Sequence, residues 1–177
     1  MKKQIITTIL ILLGTATTTF SQDLQTFNEI NRMWSQFCES FDSLDAQMFA
    51  EVHSKKLIRI PGGHRIMNLE AYIEGYESYF HKTKDEKSTS SLDLRFFERI
   101  HNDSIASERG YYKSLKNQGQ ENERISYGQF HVLLAKENGI WKVLMDYDSN
   151  EGKTITEEHF NGAFAMDELD TFIKTTQ

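Results

Sequence analysis

A chain of 177 residues with 26 acidic against 20 basic side chains, a formal charge of −6, suits a single domain. A field of that sign repels phosphate backbones and anionic lipid, so nucleic acid and membrane surfaces are poor partners. There is one cysteine, which excludes an internal disulfide, and 12 Phe, 7 Tyr and 2 Trp must supply stability by packing.

The chain starts with Lys2 and Lys3, an apolar stretch from Ile5 to Leu13, and the small-residue pattern Thr19-Phe20-Ser21. This is the pattern of a secretory signal peptide over residues 1–21, cut before Gln22. The apolar stretch is shorter than the ~20 residues a bilayer span requires. The expected product is an exported domain, residues 22–177, periplasmic or secreted, with no membrane attachment after cleavage.

Phe27, Ile30, Trp34, Phe37, Cys38 and Phe41 recur at three- and four-residue spacing, predicting an amphipathic helix from Leu24 to Phe41. Cys38 falls within that stripe and reads as buried filling rather than a nucleophile. Leu44 to Val52 predicts a short second helix. Leu57 to Ile60 reads as a brief strand stopped by Pro61-Gly62-Gly63. Asn68 caps a third helix, with Ile73, Tyr76, Tyr79 and Phe80 on its inner face. Lys82 to Ser91 reads as a polar, mobile loop.

The remainder turns to β-structure. Leu92 to Ile100 and Ile105 to Leu115 are strands, and Ile125 to Tyr147 is a hairpin turned by Lys136-Glu137-Asn138-Gly139. The tail from Thr156 to Lys174 has helical spacing. Three helices followed by a strand meander is an α+β pattern. Its expected form is a cone-shaped, cystatin-like roll, with three N-terminal helices on a strongly curved antiparallel sheet and a C-terminal helical tail.

Three segments carry a resemblance to a known family. They are Phe41-Asp42-Ser43-Leu44-Asp45, Ile60-Pro61-Gly62-Gly63, and Tyr127-Gly128-Gln129-Phe130 running through Asn138-Gly139-Ile140-Trp141-Lys142-Val143 to Asp146. The chain resembles the nuclear transport factor 2-like superfamily, especially its SnoaL-like and ketosteroid-isomerase-like bacterial members. The resemblance implies the fold and a central cavity, and a homodimer through the sheet. It implies no activity, because the fold hosts isomerases, hydrolases, cyclases, binding proteins and assembly modules.

Carrying the family's chemistries over residue by residue leaves each incomplete. Where the isomerases place a carboxylate base before the proline, this chain has Ile60, and Phe37 stands at the first-helix tyrosine position. Resemblance to the epoxide hydrolases maps an Asp–Arg–Asp arrangement onto Arg109 and Asp146, but Tyr111 replaces the remaining acid.

Asp146, Asp148, Asn150 and Glu157 have calcium-loop offsets, yet position six is Glu151 rather than glycine. The six histidines show no ligand spacing, and neither a nucleophile elbow nor a phosphate loop is present, so no metal and no cofactor are expected.

The expectation is a pocket for a small hydrophobic or amphipathic molecule. Arg109, Tyr111, Asp146 and His131 are its polar candidates, with Trp34 and Tyr76 as wall. Asp146 is the one candidate catalytic base. Two alternatives stay open: a hydrolase, isomerase or cyclase acting through Asp146, and a non-catalytic dimeric assembly module with a plugged cavity.

Overall fold

The computed structural model describes residues 23–173, so the signal-peptide expectation lies outside the described residues. A first helix, α1, covers residues 23–42, and the next elements are α2 (Ala46–Glu51), β1 (His53–Pro61) and α3 (Leu69–Asp85). Four long strands follow: β2 (Ser90–His101), β3 (Ile105–Lys116), β4 (Arg124–Glu137) and β5 (Ile140–Ser149). The described residues end with α4 (Glu157–Asn161), the two-residue β6 (Phe164–Ala165) and a 3-10 turn at Leu169–Thr171. The six strands form one sheet in the order β1-β5-β4-β3-β2-β6.

The caps follow from the sequence. The side chain of Asp45 accepts from the Met48 amide to start α2, and Asn68 accepts from Ala71 to start α3. Each offers a side-chain oxygen, a carboxylate in Asp45 and an amide carbonyl in Asn68, to an amide that the first helical turn leaves unpaired.

Three details differ from the sequence expectation. First, β1 runs parallel to β5, with Arg59 opposite Asp146, whereas the other long pairs are antiparallel. A parallel neighbour needs a crossover, and here α3 and the meander supply it.

Second, the expected mobile loop from Lys82 to Ser91 is short and tied down. The helix α3 continues to Asp85, the Thr83 hydroxyl donates to the Tyr79 carbonyl, and Asn117 Oδ1 accepts from the Thr89 amide. Third, among the described residues of the tail, α-helix covers only Glu157–Asn161, with a 3-10 turn at Leu169–Thr171. The chain then joins the sheet edge, pairing Phe164 with Phe96, and the Met166 carbonyl accepts from Asn31 and from Arg99.

Aromatic rings form most of the core. Phe41 packs on Phe49, Tyr76 and Phe80, with ring centroids 5.9, 5.3 and 5.5 Å apart. Burying each such side chain contributes roughly 1.5–3 kcal/mol before the entropy of ordering it.

The antiparallel pairs of the sheet carry two bulges, beside a register irregularity in the parallel β1–β5 pair between His53 and Ile58. One falls between Phe96 and Glu98 in β2 and the other between Val143 and Met145 in β5. Because side chains alternate with period two, the extra residue lets Phe96 and Arg99 share the inner face, and likewise Val143 and Asp146. Gly110 in β3 sits behind the first bulge. A Cβ there would lie 2.0 Å from the Arg95 carbonyl oxygen, so no other residue fits.

A charged pair is sealed between α1, the sheet and the tail. Glu108 and Arg99 meet at 2.8 Å, and neither side chain is exposed. Glu108 also accepts from the Trp34 indole, and Arg99 reaches Asn31 Oδ1 at 2.7 Å. Phe96 and Phe27 cover the guanidinium, 4.3 and 5.0 Å from it. This cluster ties α1, the sheet and the tail together.

His53 is a second buried titratable group. Its ring packs against Phe49 and Tyr72, and Nδ1 is 2.7 Å from the Phe49 carbonyl oxygen. Burial, against the partial help of that carbonyl, lowers its pKa to about 4. The unfolded chain therefore takes the proton first. His53 makes its full contribution above pH ~6.5 and loses up to about 3 kcal/mol of stability as pH falls toward 4. Denaturant titrations at a series of pH values check this, and His53→Phe should flatten the slope over that interval.

Candidate functional site

The inner face of the sheet and the helices enclose a hollow of about 270 Å3. Trp34, Phe37 and Phe41 from α1 and Tyr72 and Tyr76 from α3 form one side. Leu94, Tyr112, Phe130 and Val132 from the sheet form the other. A neighbouring, more open recess of about 430 Å3 shares Phe41, Tyr72, Tyr76 and Ser114 with it and adds Arg59 and Arg65. The cone is therefore not plugged by its aromatic rings.

Asp146 and Asp148, two residues apart on β5, supply the acidic groups of the hollow. The parallel neighbour β1 brings Arg59 between them, with Nη2 2.7 Å from Asp148 Oδ1 and Nη1 3.5 Å from Asp146 Oδ1. The Arg59 Nη1 also donates to the Asp146 backbone carbonyl at 3.1 Å. From α3, the Tyr72 hydroxyl donates to Asp146 Oδ2 at 2.9 Å, and its ring lies 4.9 Å from the Arg59 guanidinium carbon. The result is an acid–guanidinium–acid cluster with a phenol on its buried member.

Electrostatics separate the two acids. Burial raises the pKa of Asp146, and Arg59 opposes the rise without cancelling it. Asp148 lies nearer solvent, its side chain 31% exposed. Burial also pushes the Tyr72 phenol well above its ordinary value and the Tyr112 phenol up to about 12, so both stay protonated donors at neutral pH. The Cys38 thiol is pushed up to about 12 by burial, which leaves it unreactive.

The sequence-predicted site residues divide between the two faces of the sheet. Asp146, Trp34 and Tyr76 line the hollow. Arg109, Tyr111 and His131 lie on the outer face, and the expected pairing of Arg109 with Asp146 does not form. Glu108 and Gly110 point inward on β3, so alternation turns Arg109 and Tyr111 outward. There Arg109 faces Glu98 at 3.6 Å with its side chain 46% exposed, and Tyr111 stacks near Phe97 at 5.0 Å. His131 Nε2 is 3.0 Å from the Ser107 hydroxyl. Phe130, Val132 and Leu134 are the inward set on β4.

Arg59 and Asp148 take the polar places that the sequence assigns to Arg109 and Tyr111. A signal for Arg59 was present: a basic residue sits in the apolar run Leu57-Ile58-Arg59-Ile60, in phase with inward Leu57. Asp148 carries only its calcium-loop offset as a sequence signal. Both acids instead face a guanidinium, and among the described residues no group of three or more His, Cys, Asp or Glu is placed to hold a metal ion.

No family model matches the chain in sequence, and no curated protein does. Solved structures do match in shape. A nuclear transport factor 2-like protein of unknown function from Shewanella oneidensis is 17% identical, with a TM-score of 0.55 over 69% of this chain and 97% of its own. A ketosteroid isomerase-like protein from Erwinia carotovora atroseptica is 16% identical, with a TM-score of 0.55 over 70% and 94%. Aln2 from a Streptomyces species reaches 0.60 at 12% identity, over 71% and 90%.

The chain has the nuclear transport factor 2-like fold. Identities this low establish a shared backbone plan and say nothing of shared chemistry. The nuclear transport factor 2-like cone accounts for the bent sheet, for the helices across its concave side and for the hollow between them. The polar cluster at Asp146 belongs to this chain's own sequence.

Proposed function

We propose that this is an exported protein that binds a small, partly apolar molecule in the cone. The observation that carries the reading is the hollow of about 270 Å3, walled by aromatic rings and bounded on one side by Asp146 and Asp148. Ligand sites are mostly apolar with a few directed polar groups and run from about 300 to 1,000 Å3, so the occupant is small. The basic and apolar pattern from Lys2 to Ser21 supports export. Phe97, Tyr111 and Tyr147 on the outer face support a homodimer through the sheet.

A thermal-shift screen of small amphipathic metabolites tests the reading, using wild type and Ser114→Trp. Ser114 lines both the hollow and the neighbouring recess, so an indole there would fill the space a ligand needs. Hits that raise the wild-type melting temperature and not that of the filled variant support binding in the cone. A screen in which both proteins respond alike contradicts it.

A second reading has one observation in its favour. Asp146 is a buried carboxyl of raised pKa that faces the hollow and accepts from a phenol, an arrangement suited to proton transfer. In a hydrolase, isomerase or cyclase of this kind, Asp146→Asn would abolish turnover and spare ligand binding. Ile60 and Phe37 leave no isomerase base or phenol at the two positions named above.

A further inference from the structure

The charges around the hollow restrict what can enter it. Two carboxylates and one guanidinium border the hollow and its recess on the β1–β5 side, so the ionised cluster has a net charge of −1. The guanidinium is held by both acids and by the Asp146 carbonyl, and the Tyr72 hydroxyl donates to Asp146. The Arg59 Nη donors and the Tyr72 hydroxyl are therefore committed inside the cluster, while the buried Arg59 Nε–H has no hydrogen-bond partner. Acceptor capacity remains, because each carboxylate offers about four lone-pair directions. Asp148 in particular is only partly covered.

The walls favour the same ligand charge. Trp34, Tyr72, Tyr76 and Tyr112 present electron-rich rings around the hollow, and a cation over such rings is attracted by their quadrupoles, most strongly when water is excluded. The chain as a whole is acidic, which raises the local concentration of cations. Arg65 is the opposing charge, but it is exposed on the rim of the outer recess, where salt screens it.

We propose that the cone selects a small organic ammonium ion, its apolar body against Phe37, Phe41 and Phe130 and its N–H groups on Asp148 and Asp146. The proposal rests on the small-molecule reading above and adds the chemical class. An anionic ligand of the same shape would meet two acids, and a neutral alcohol would lose the charge.

Calorimetric titration with three probes of one skeleton separates the two claims: phenethylamine, phenethyl alcohol and phenylacetate. Wild type should bind the amine about tenfold or more tightly than the alcohol, a difference of about 1.4 kcal/mol, and phenylacetate most weakly. Asp148→Asn should bring the amine to within about threefold of the alcohol while the alcohol's own affinity is unchanged, a readout that a general loss of stability would not give. If the alcohol or phenylacetate binds wild type as tightly as the amine, the ammonium proposal fails and the small-molecule reading stands. If none of the three binds at concentrations up to about millimolar, both fall.

Discussion

Glu108→Leu is expected to lower the unfolding free energy by about 3–5 kcal/mol, because it strands a buried guanidinium. Arg99 and Glu108 have no exposed side-chain surface, and in the variant Arg99 keeps only Asn31 Oδ1 and the Met166 carbonyl as oxygen partners. It cannot release its proton, since arginine stays charged in proteins. Trp34 loses the acceptor of its indole N–H at the same time, and that N–H is then left buried and unsatisfied. Arg99→Met combined with Glu108→Leu should recover most of the loss, because an apolar pair of similar volume avoids both desolvation costs. Equilibrium denaturation of wild type, single and double variants checks this. A single variant within about 1 kcal/mol of wild type would mean that the pair behaves like an exposed one.

Arg59→Met is expected to have a comparable effect at neutral pH, about 3–5 kcal/mol, with a pH dependence that identifies its origin. Arg59 is the cation held between Asp146 and Asp148, and its loss leaves two acids facing each other, one of them buried. Asp146 already has a raised pKa from burial, and without the guanidinium it rises further. The folded state then holds a proton that the unfolded chain gives up near pH ~4. Stability of the variant accordingly falls as pH rises through the raised value, so the deficit is small in acid and full above it. Adding Asp146→Asn removes the buried charge and should flatten that dependence. A deficit that is the same at every pH would show that lost packing, not charge, is responsible.

Periodicity and turn chemistry made the helices, the caps and the hairpin legible in the sequence. The stripe from Phe27 to Phe41, the Asn68 cap and the Asn138-Gly139 turn all stand where local rules put them. Two kinds of feature were hidden, each for a physical reason. Strand alternation gives two faces without saying which one is inner, and the choice depends on which face the helices cover. Arg109, Tyr111 and His131 therefore lie on the outer face, while the sequence reading puts them in the pocket. The bulges hide more, because one extra residue reverses the phase. With strict alternation from Val143, Asp146 would face outward, and it faces the hollow only because β5 bulges between Val143 and Met145.

The Arg59–Asp146 contact was invisible for a third reason. It depends on a parallel pairing between strands separated by most of the domain, which no local pattern encodes. The tail shows the converse. Its helical spacing at Phe160 and Phe164 was real, but the sheet edge at Phe96 and the donors on Asn31 and Arg99 draw the chain out of a helix after Asn161.

The most direct measurement is aromatic-ring NMR on protein saturated with the strongest hit of the thermal-shift screen. Ligand in the cone should shift the ring resonances of Trp34, Tyr76 and Tyr112 and leave those of Phe97, Tyr111 and His131 unchanged. Shifts confined to that second set would place the ligand on the outer sheet and contradict a cavity built around Asp146.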